Sequence, residues 1–237
     1  MISKSHATDV RGKHYEGRIA CNAHSGARSP GVLVIHEATG FGKNVCEVAD
    51  RLCKETGYTV YAMDLFGETP ASSERMMEII GALLSDPAEL DARLTAGLDT
   101  LSGHESVDPT KLAVMGYCFG GTAALELARR GAALRAAIAF HAILKGTDRP
   151  TARPLKPKIL VCNGAQDPWI TSEMKSAFAT EMISADADWQ MHLHGTARHS
   201  FTNRAAATLG SPAYAYNQDA DRRSWVAMRS LLEEAFA

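Results

Sequence analysis

Short apolar runs alternate along the chain with longer segments in which apolar residues recur at helical spacing. The first run, residues 31–36 (GVLVIH), is apolar and rich in β-branched side chains. Such a run is typical of a strand that is buried on both faces of a parallel sheet. Residues 44–56 carry apolar side chains at intervals of three and four, and Gly57 supplies a helix-ending residue, so this segment is predicted to be a helix.

The same alternation continues to the end of the chain. The predicted strands are 31–36, 58–63, 111–115, 136–140, 157–162 and 188–193. The predicted helices are 44–56, two helices within 72–101 that break near Asp86-Pro87, 119–130, 171–184 and a last one near 218–236. Strands that alternate with helices of about 10–15 residues indicate an α/β fold with a mostly parallel central sheet and helices on both faces. We expect one domain, residues 1–237.

Composition narrows the class of protein. Hydrophobic residues make up 46% of the 237 residues, which is enough for a sizeable core, and the net charge of −2 argues against nucleic acid or an acidic membrane as partner. No apolar run approaches the roughly 18 residues that span a bilayer, and the first residues have no signal-peptide pattern. We therefore expect a soluble cytoplasmic protein. We also expect a monomer or homodimer, with a small-molecule substrate as its partner. The five cysteines are odd in number and include no Cys-x-x-Cys pair, so no disulfide framework is expected.

One cysteine stands in a special setting. The predicted strand 111–115 is followed by Gly116-Tyr117-Cys118-Phe119-Gly120, and a helix-like segment follows directly. In the G-x-S-x-G motif of α/β-hydrolases, the nucleophile lies on a strained turn between a strand and a helix. A buried cysteine in a glycine-rich turn is the alternative, but the strand before and the helix after it favour a nucleophile elbow. At a helix N-terminus, the helix dipole also favours a thiolate.

A nucleophile of this fold needs an acid and a histidine after it in the chain. Asp167 follows the predicted strand 157–162, where the acid is expected, although an ordinary Asp-Pro turn is the alternative. His199 lies in a segment beyond the last predicted strand, where the base is expected. His192 and His194 lie within or at the end of that strand and are interpreted as structural or surface residues.

The chemistry follows from this order. His199 would take the proton of Cys118, and Asp167 would fix the histidine tautomer and stabilise the imidazolium. Attack of the thiolate on a carbonyl gives a tetrahedral oxyanion. The backbone N–H groups of Phe119 and Ala38 are expected to bind it.

The sequence motifs of metal and cofactor binding are incomplete in this chain. His36-Glu37 starts like the metal motif H-E-x-x-H, but its last position is Gly40. The phosphate-loop and dinucleotide patterns also lack required residues, so no metal and no cofactor is expected. Arg129 and Arg130 are interpreted as part of a solvated helix face.

Five segments together resemble the dienelactone hydrolase family. They are VLVIHEATG at 32–40, YAMDLFGE at 61–68, MGYCFGG at 115–121, CNGAQDP at 162–168 and HSFTN at 199–203. The resemblance implies an α/β-hydrolase with a Cys-His-Asp triad, which falls on Cys118, His199 and Asp167. It further implies that Glu37 contacts the nucleophile thiol, keeps it neutral at rest and releases it when substrate moves the carboxylate.

The sequence departs from the family in its substrate-binding residues. Lactone-cleaving members place an arginine four positions after the histidine, whereas this chain has Asn203 there and Arg204 one position later. A second binding arginine is expected after Asp64, where Arg75 is available. The candidate substrate-binding residues are Ser200, Asn203, Arg204, Arg75 and Tyr117. The triad thus transfers, but the dienelactone substrate does not.

Three functions remain open from the sequence. The first is a cysteine hydrolase of lactones and activated carboxylic esters that also cleaves phosphotriesters. The second is an enzyme whose main activity is phosphotriester hydrolysis, because the chain also resembles a metagenomic family member described as a phosphotriesterase. The third is a catalytically silent α/β-hydrolase that serves as a ligand receptor.

Overall fold

The computed structural model describes residues 1–22, 28–147 and 149–237. Its strands are β1 (Ile2–Val10), β2 (Lys13–Cys21), β3 (Ser29–Ile35), β4 (Thr59–Met63), β5 (Val107–Tyr117), β6 (Ala136–Phe140), β7 (Lys158–Gly164) and β8 (Trp189–His194). Its helices are α1 (Lys43–Thr56), α2 (Ser73–Ser85), α3 (Pro87–Ser102), α4 (Phe119–Arg129), α5 (Ser172–Ser184) and α6 (Gln218–Phe236), with a short 3-10 helix at Ala206–Leu209. In the described part of the chain, no helix has the length and apolar character needed to cross a membrane.

The chain divides into two compact units, Met1–Val114 and Met115–Ala237. The expectation of a single domain stays a prediction. In the first unit the strands follow the order β1-β2-β4-β3. β3 and β4 are parallel, with Gly31 opposite Thr59, while β2 is antiparallel to both β1 and β4. Every residue of β4 is buried, which agrees with a strand covered on both faces.

The hairpin of β1 and β2 was not predicted, because no element was expected before residue 31. β1 is largely exposed and polar, so it lacks the apolar run that identifies the other strands. Its turn consists of Arg11 and Gly12, both with positive φ (52° and 82°), as a two-residue hairpin loop of type I′ requires. Arg-Gly is not one of the dipeptides that signal this turn.

The predicted helix boundaries of the first unit are confirmed. α1 ends at Gly57, whose left-handed backbone (φ 79°) lets its N–H donate to the Cys53 carbonyl at 2.9 Å. The break between α2 and α3 falls at Asp86, whose carboxylate accepts the N–H groups of Ala88 and Glu89 at 3.1 Å each. Pro87 occupies the first helical position, where its missing N–H costs nothing.

In the second unit the strands β6, β7 and β8 are parallel and adjacent. All of β6 and nearly all of β7 are buried, while α4 packs on β6 and α6 on both β6 and β7. β5 ends inside this unit at Tyr117 and leads directly into α4. The predicted α/β class with mostly parallel strands is confirmed.

One expectation for α4 is wrong. Arg129 is not on a solvated face, since only 5% of it is exposed. Its Nε donates to Glu181 Oε1 at 2.7 Å, its Nη1 donates to Glu126 Oε1 at 3.0 Å, and its Nη2 donates to the Leu144 carbonyl at 2.7 Å. Two carboxylates compensate the buried charge of Arg129. A residue that looks like a surface charge in the sequence therefore belongs to an internal ion-pair network.

Candidate active site

Cys118 is the single residue between β5 and α4, and its backbone is strained. It has φ 52° and ψ −119°, a conformation that costs a non-glycine residue on the order of 1–3 kcal/mol. The turn is held by backbone hydrogen bonds. The Cys118 N–H donates to the Phe140 carbonyl at 2.9 Å, and the Cys118 carbonyl accepts from Gly121 N at 3.0 Å. This is the expected geometry of a nucleophile elbow, with the thiol beside the N-terminus of α4.

The glycines of the elbow allow a very close approach of strand and helix. A Cβ at Gly116 would lie 2.1 Å from the Gly120 carbonyl oxygen, and one at Gly121 would lie 2.8 Å from Ala142 Cβ. Both distances are shorter than real carbon contacts, so larger residues would push the turn open. The packing therefore requires a glycine at position 116.

The structure brings the three predicted triad residues together. Cys118 Sγ lies 3.1 Å from His199 Nε2, and His199 Nδ1 lies 2.6 Å from Asp167 Oδ2. The cysteine is half-buried, whereas His199 is only 2% and Asp167 only 5% exposed. The half-buried cysteine thus contacts a histidine that is shielded from water, and the histidine in turn contacts a shielded carboxylate.

The loop after β7 holds Asp167. Asp167 Oδ1 accepts the N–H of Trp169 at 3.0 Å, while Oδ2 faces His199, so each carboxylate oxygen has its own donor. The loop also lies directly against the one that carries the histidine. A Cβ at Gly164 would be 2.4 Å from the Ala197 carbonyl oxygen, so only glycine permits this contact.

The backbone of the histidine is fixed as well. The His199 N–H donates to the Ala213 carbonyl at 3.1 Å, and the His199 carbonyl accepts from Ala215 N at 3.2 Å. The next residue, Ser200, is 1% exposed and has φ 53°. His199 is thus oriented from both its backbone and its ring.

The electrostatics favour a protonated histidine. Burial by itself would lower the pKa of His199, but the hydrogen bonds to Asp167 and Cys118 outweigh it and raise this pKa to about 10. Elsewhere, burial raises the pKa of the Cys53 thiol to about 11 and that of Cys162 to about 12, so these thiols are poor nucleophiles.

The sequence did not predict the role of a second histidine, His141. It is fully buried, with φ 40°, and its ring contacts His199 edge to face at 5.2 Å between centroids. Its Nε2 forms a 2.9 Å hydrogen bond with Thr202 Oγ1. Burial, reinforced by the neighbouring His199, holds the pKa of His141 well below the usual range, so it packs against the base as a neutral ring. Its place just after β6 was the available signal, because functional residues gather at the carboxyl ends of parallel strands.

Two aromatic residues beside the base were also not predicted. Trp169 and Tyr214 both contact the His199 ring, with centroid distances of 4.7 and 5.7 Å. Trp169 follows Asp167 closely in the chain and could have been found from that position. Tyr214 carries no local signal, since its contact with His199 depends on the fold of the intervening segment.

Within the first unit, Glu37 and Ala38 are both buried, at 5% and 8% exposure. Asn44 Nδ2 donates to Glu37 Oε1 at 2.8 Å and so holds the carboxylate. The Leu65 N–H donates to His36 Nε2 at 3.0 Å, so the proton of this ring is on Nδ1, which donates to the Glu37 carbonyl at 2.6 Å. The segment is therefore rigidly organised, and Asn44 is a partner of Glu37 that the sequence did not reveal.

The cluster in the second unit has the parts of nucleophilic catalysis. It combines a half-buried cysteine, a histidine ring within hydrogen-bond distance of the sulfur and a carboxylate hydrogen-bonded to the other side of that ring. Among the residues that the structure describes, no group of three or more His, Cys, Asp or Glu side chains is arranged to hold a metal ion.

Comparison with known proteins assigns the family. The model of the dienelactone hydrolase family matches residues 16–236, nearly the whole chain. The chain belongs to the dienelactone hydrolase family. It is accordingly a hydrolase, and the resemblance drawn from its motifs is confirmed.

Two solved structures and one further relative have names that agree with this family. The structure described as m3DLH is 36% identical, covers 100% of this chain and 99% of its own, and superposes with a TM-score of 0.95. The dienelactone hydrolase-like promiscuous phosphotriesterase P91 from metagenomic libraries is 32% identical, with 99% of each chain covered and a TM-score of 0.88. A probable 2-oxo-3-(5-oxofuran-2-ylidene)propanoate lactonase from Bradyrhizobium sp is 28% identical over 73% of this chain and 74% of its own.

The two candidate substrate-binding arginines of this chain have other partners. Arg75 is exposed and pairs with Glu68 at 2.5 Å and with Glu78 at 3.0 Å. The guanidinium of Arg204 lies over the ring of Tyr216, 5.4 Å from its centroid. Each cation is thus engaged by a neighbour in its own unit.

The remaining substrate-binding candidates are buried. Asn203 is 7% exposed, and its Oδ1 accepts the Ala205 N–H at 2.8 Å, which closes a local turn. Tyr117 is 3% exposed and stacks on Phe140, with 4.8 Å between ring centroids. Their roles in binding stay predictions.

Proposed function

We propose that the chain hydrolyses lactones and activated carboxylic esters through a Cys118 nucleophile and a covalent thioester, and that the same triad hydrolyses paraoxon-type phosphotriesters. The observation that carries this proposal is the 3.1 Å contact between Cys118 Sγ and His199 Nε2 at a strained elbow. The names of two relatives support it, since one is called a probable lactonase and another a promiscuous phosphotriesterase.

Acylation begins from the pair in which the proton of Cys118 has passed to His199 Nε2, which leaves a thiolate beside an imidazolium. The thiolate forms a bond to the carbonyl carbon, and the carbonyl π electrons move to oxygen. The N–H of Phe119, the first residue of α4, is proposed to bind this oxyanion, because first-turn N–H groups point out of the helix N-terminus. When the oxyanion collapses, the bond to the leaving oxygen breaks, and His199 Nε2 gives that oxygen its proton. Asp167 stabilises the imidazolium throughout.

Deacylation repeats these steps with water. His199 takes a proton from water as the hydroxyl oxygen attacks the thioester carbon, and the C–S bond then breaks to release the acid. The thiolate of Cys118 leaves readily because a thiol is more acidic than an alcohol. The cysteine is then ready for another turnover.

A phosphotriester fits the same sequence of steps. It is neutral and tetrahedral and carries a good aryl leaving group, so it resembles the intermediate that an oxyanion site stabilises. A phosphorylated serine is slow to hydrolyse, whereas the lower pKa of a thiol makes the S–P bond of a phosphorylated cysteine easier for water to displace. A cysteine at the elbow therefore favours turnover rather than lasting inactivation.

We further propose that the preferred substrates are uncharged. The family's arginine position holds Asn203, whose side chain is used in a local turn. Arg75 and Arg204 are engaged by two carboxylates and by an aromatic ring, respectively. We therefore do not expect either arginine to bind a substrate carboxylate.

From the resemblance we also propose roles for Glu37 and Ala38. The Ala38 N–H would be the second oxyanion donor, and Glu37 would govern the ionisation of the nucleophile. Burial of Glu37 and its hydrogen bond from Asn44 support the view that its carboxylate is held in a defined position.

The test is a substrate panel on wild type and Cys118→Ala. The panel contains aryl esters, neutral and anionic lactones of similar size, and paraoxon with a metal chelator present. We expect multiple turnovers on esters and neutral lactones, and a loss of kcat on the order of 10⁴–10⁶ in the variant. Cys46→Ala is the matched control, because Cys46 is also half-buried but lies on α1.

Other outcomes would separate the alternatives. Paraoxon turnover far above that of every carboxylic substrate would make phosphotriester hydrolysis the main activity. A single burst of product equal to the enzyme concentration on every substrate would favour the silent receptor. Unchanged turnover in Cys118→Ala would show that the chemistry lies elsewhere.

A further inference from the structure

The aromatic shelf, defined as Trp169 and Tyr214, lies beside the base of the triad. The Trp169 ring meets the His199 ring nearly at a right angle (84°), with 4.7 Å between centroids. Tyr214 meets the same ring at 71° and 5.7 Å, and the two shelf rings are 5.0 Å apart. The three rings therefore form one contiguous cluster.

Both shelf residues are anchored to the triad through the backbone. The Trp169 N–H donates to Asp167 Oδ1 at 3.0 Å. Tyr214 stands between two residues whose backbones hydrogen-bond to His199, and it forms a parallel β-bridge with the histidine. A binding surface attached in this way keeps its position relative to the reacting atoms, which is what substrate orientation requires.

Exposure distinguishes Trp169 from the residues that it contacts. The tryptophan is 39% exposed, whereas His199 is 2% and Asp167 5% exposed. A large aromatic ring is thus partly open to solvent next to a buried catalytic base. A flat apolar group that covers such a ring binds favourably, because it removes apolar surface from water.

The chemistry of the reaction indicates which part of the substrate lies there. The acyl carbon is bonded to Cys118 Sγ, while the leaving oxygen must come within about 2.6–3.2 Å of His199 Nε2 to receive its proton. The group attached to that oxygen therefore lies on the histidine side of the site. Rings that contact the imidazole are neighbours of the leaving group.

We propose that Trp169 and Tyr214 form a binding site for an aromatic leaving group, so that the enzyme selects esters and lactones of phenols over those of alkyl alcohols. This inference rests on the proposed function. A second role for the shelf would be to shield the His199–Asp167 hydrogen bond from water, and that role predicts equal losses on all substrates.

The test compares two acetates, phenyl acetate and 2,2,2-trifluoroethyl acetate, which give the same acetyl-enzyme. In Trp169→Leu and Tyr214→Leu, we expect the ratio of kcat/KM for the aryl ester to that for the alkyl ester to fall by about tenfold, mostly through KM. Trp169→Phe should recover most of the ratio. Trp189→Leu is the matched control, because Trp189 is a half-buried tryptophan that contacts Phe178 instead of the base.

Equal losses on both acetates would overturn the inference and leave only a shielding role, and an unchanged ratio would overturn it outright. Neither result would affect the proposed function, which is tested separately by multiple turnovers of these esters in wild type and their loss in Cys118→Ala. Calorimetric titration of 4-nitrophenol into Cys118→Ala, with and without Trp169→Leu, examines the shelf independently of catalysis. We expect binding that weakens about tenfold in the double variant, and equal binding to both proteins would contradict the assignment.

Discussion

Replacement of Asp167 by asparagine should remove most of the activity while leaving the fold intact. In the wild type, Oδ1 accepts the Trp169 N–H at 3.0 Å and Oδ2 accepts from His199 Nδ1 at 2.6 Å. Asparagine has one acceptor and one donor in place of two acceptors. If its oxygen keeps the Trp169 N–H, its NH₂ group faces His199 Nδ1, which must then give up its proton and become an acceptor.

The reversed tautomer puts the proton on His199 Nε2, the atom that must take it from Cys118. If the amide turns over instead, its NH₂ opposes the Trp169 N–H and a buried donor loses its acceptor. Both orientations are costly, and the first disables the base. We expect kcat/KM to fall by about 10²–10⁴, which is about 2.7–5.4 kcal/mol of transition-state stabilisation.

The assay is kcat/KM on an aryl ester, with circular dichroism and thermal unfolding on the same samples. Asp108→Asn is the matched control, because Asp108 also accepts a backbone N–H two residues on, from Thr110 at 2.9 Å, but is not part of the triad. An Asp167→Asn protein that is folded and keeps more than about a tenth of the wild-type kcat/KM would refute the role assigned to this carboxylate.

Three further predictions concern the elbow, the thiol and the base. Gly116→Ala should abolish activity or folding, because its Cβ would lie 2.1 Å from the Gly120 carbonyl oxygen; an active, equally stable variant in esterase and unfolding assays would contradict this. Glu37→Gln should change the rate and pH dependence of Cys118 alkylation by iodoacetamide, measured by mass spectrometry, whereas identical profiles would make Glu37 a bystander. The raised pKa of His199, about 10 in the folded protein, means that its contribution to stability is complete below about pH 6.5 and is lost as pH rises through 10. The thermal midpoint should therefore fall more steeply between pH 7 and 10 in wild type than in His199→Gln, and equal slopes would be inconsistent with the raised pKa.

The sequence predicted the elements whose signals are local. The elbow of Cys118 was recognisable because strand, glycines and helix are contiguous, and the break at Asp86 because a capping residue precedes a proline. The proximity of Cys118, Asp167 and His199 could be predicted because α/β-hydrolases fix the order of these parts along the chain, while their catalytic roles stay predictions. The hairpin of β1 and β2 was missed because β1 is polar and mostly exposed, so no apolar run marks it.

What the sequence could not predict depends on contacts between distant segments. Arg129 looks like a surface charge until Glu181, 52 residues later, is placed beside it. His141 and Tyr214 contact His199 only because three separate loops meet, and periodicity cannot show which aromatic residues share a neighbour. The hydrogen bond from Asn44 to Glu37 spans only seven residues, but it depends on how the loop turns into α1, which side-chain periodicity does not show.

The close contact at Gly164 has a consequence for the evolution of this enzyme in the laboratory. A methyl group there would lie 2.4 Å from the Ala197 carbonyl oxygen and would separate the loop of the acid from the loop of the base. Random mutagenesis should therefore return almost no active clones at position 164. Trp169 and Tyr214 are only partly buried, so a library restricted to these two positions should yield variants with new leaving-group preferences and an undamaged triad.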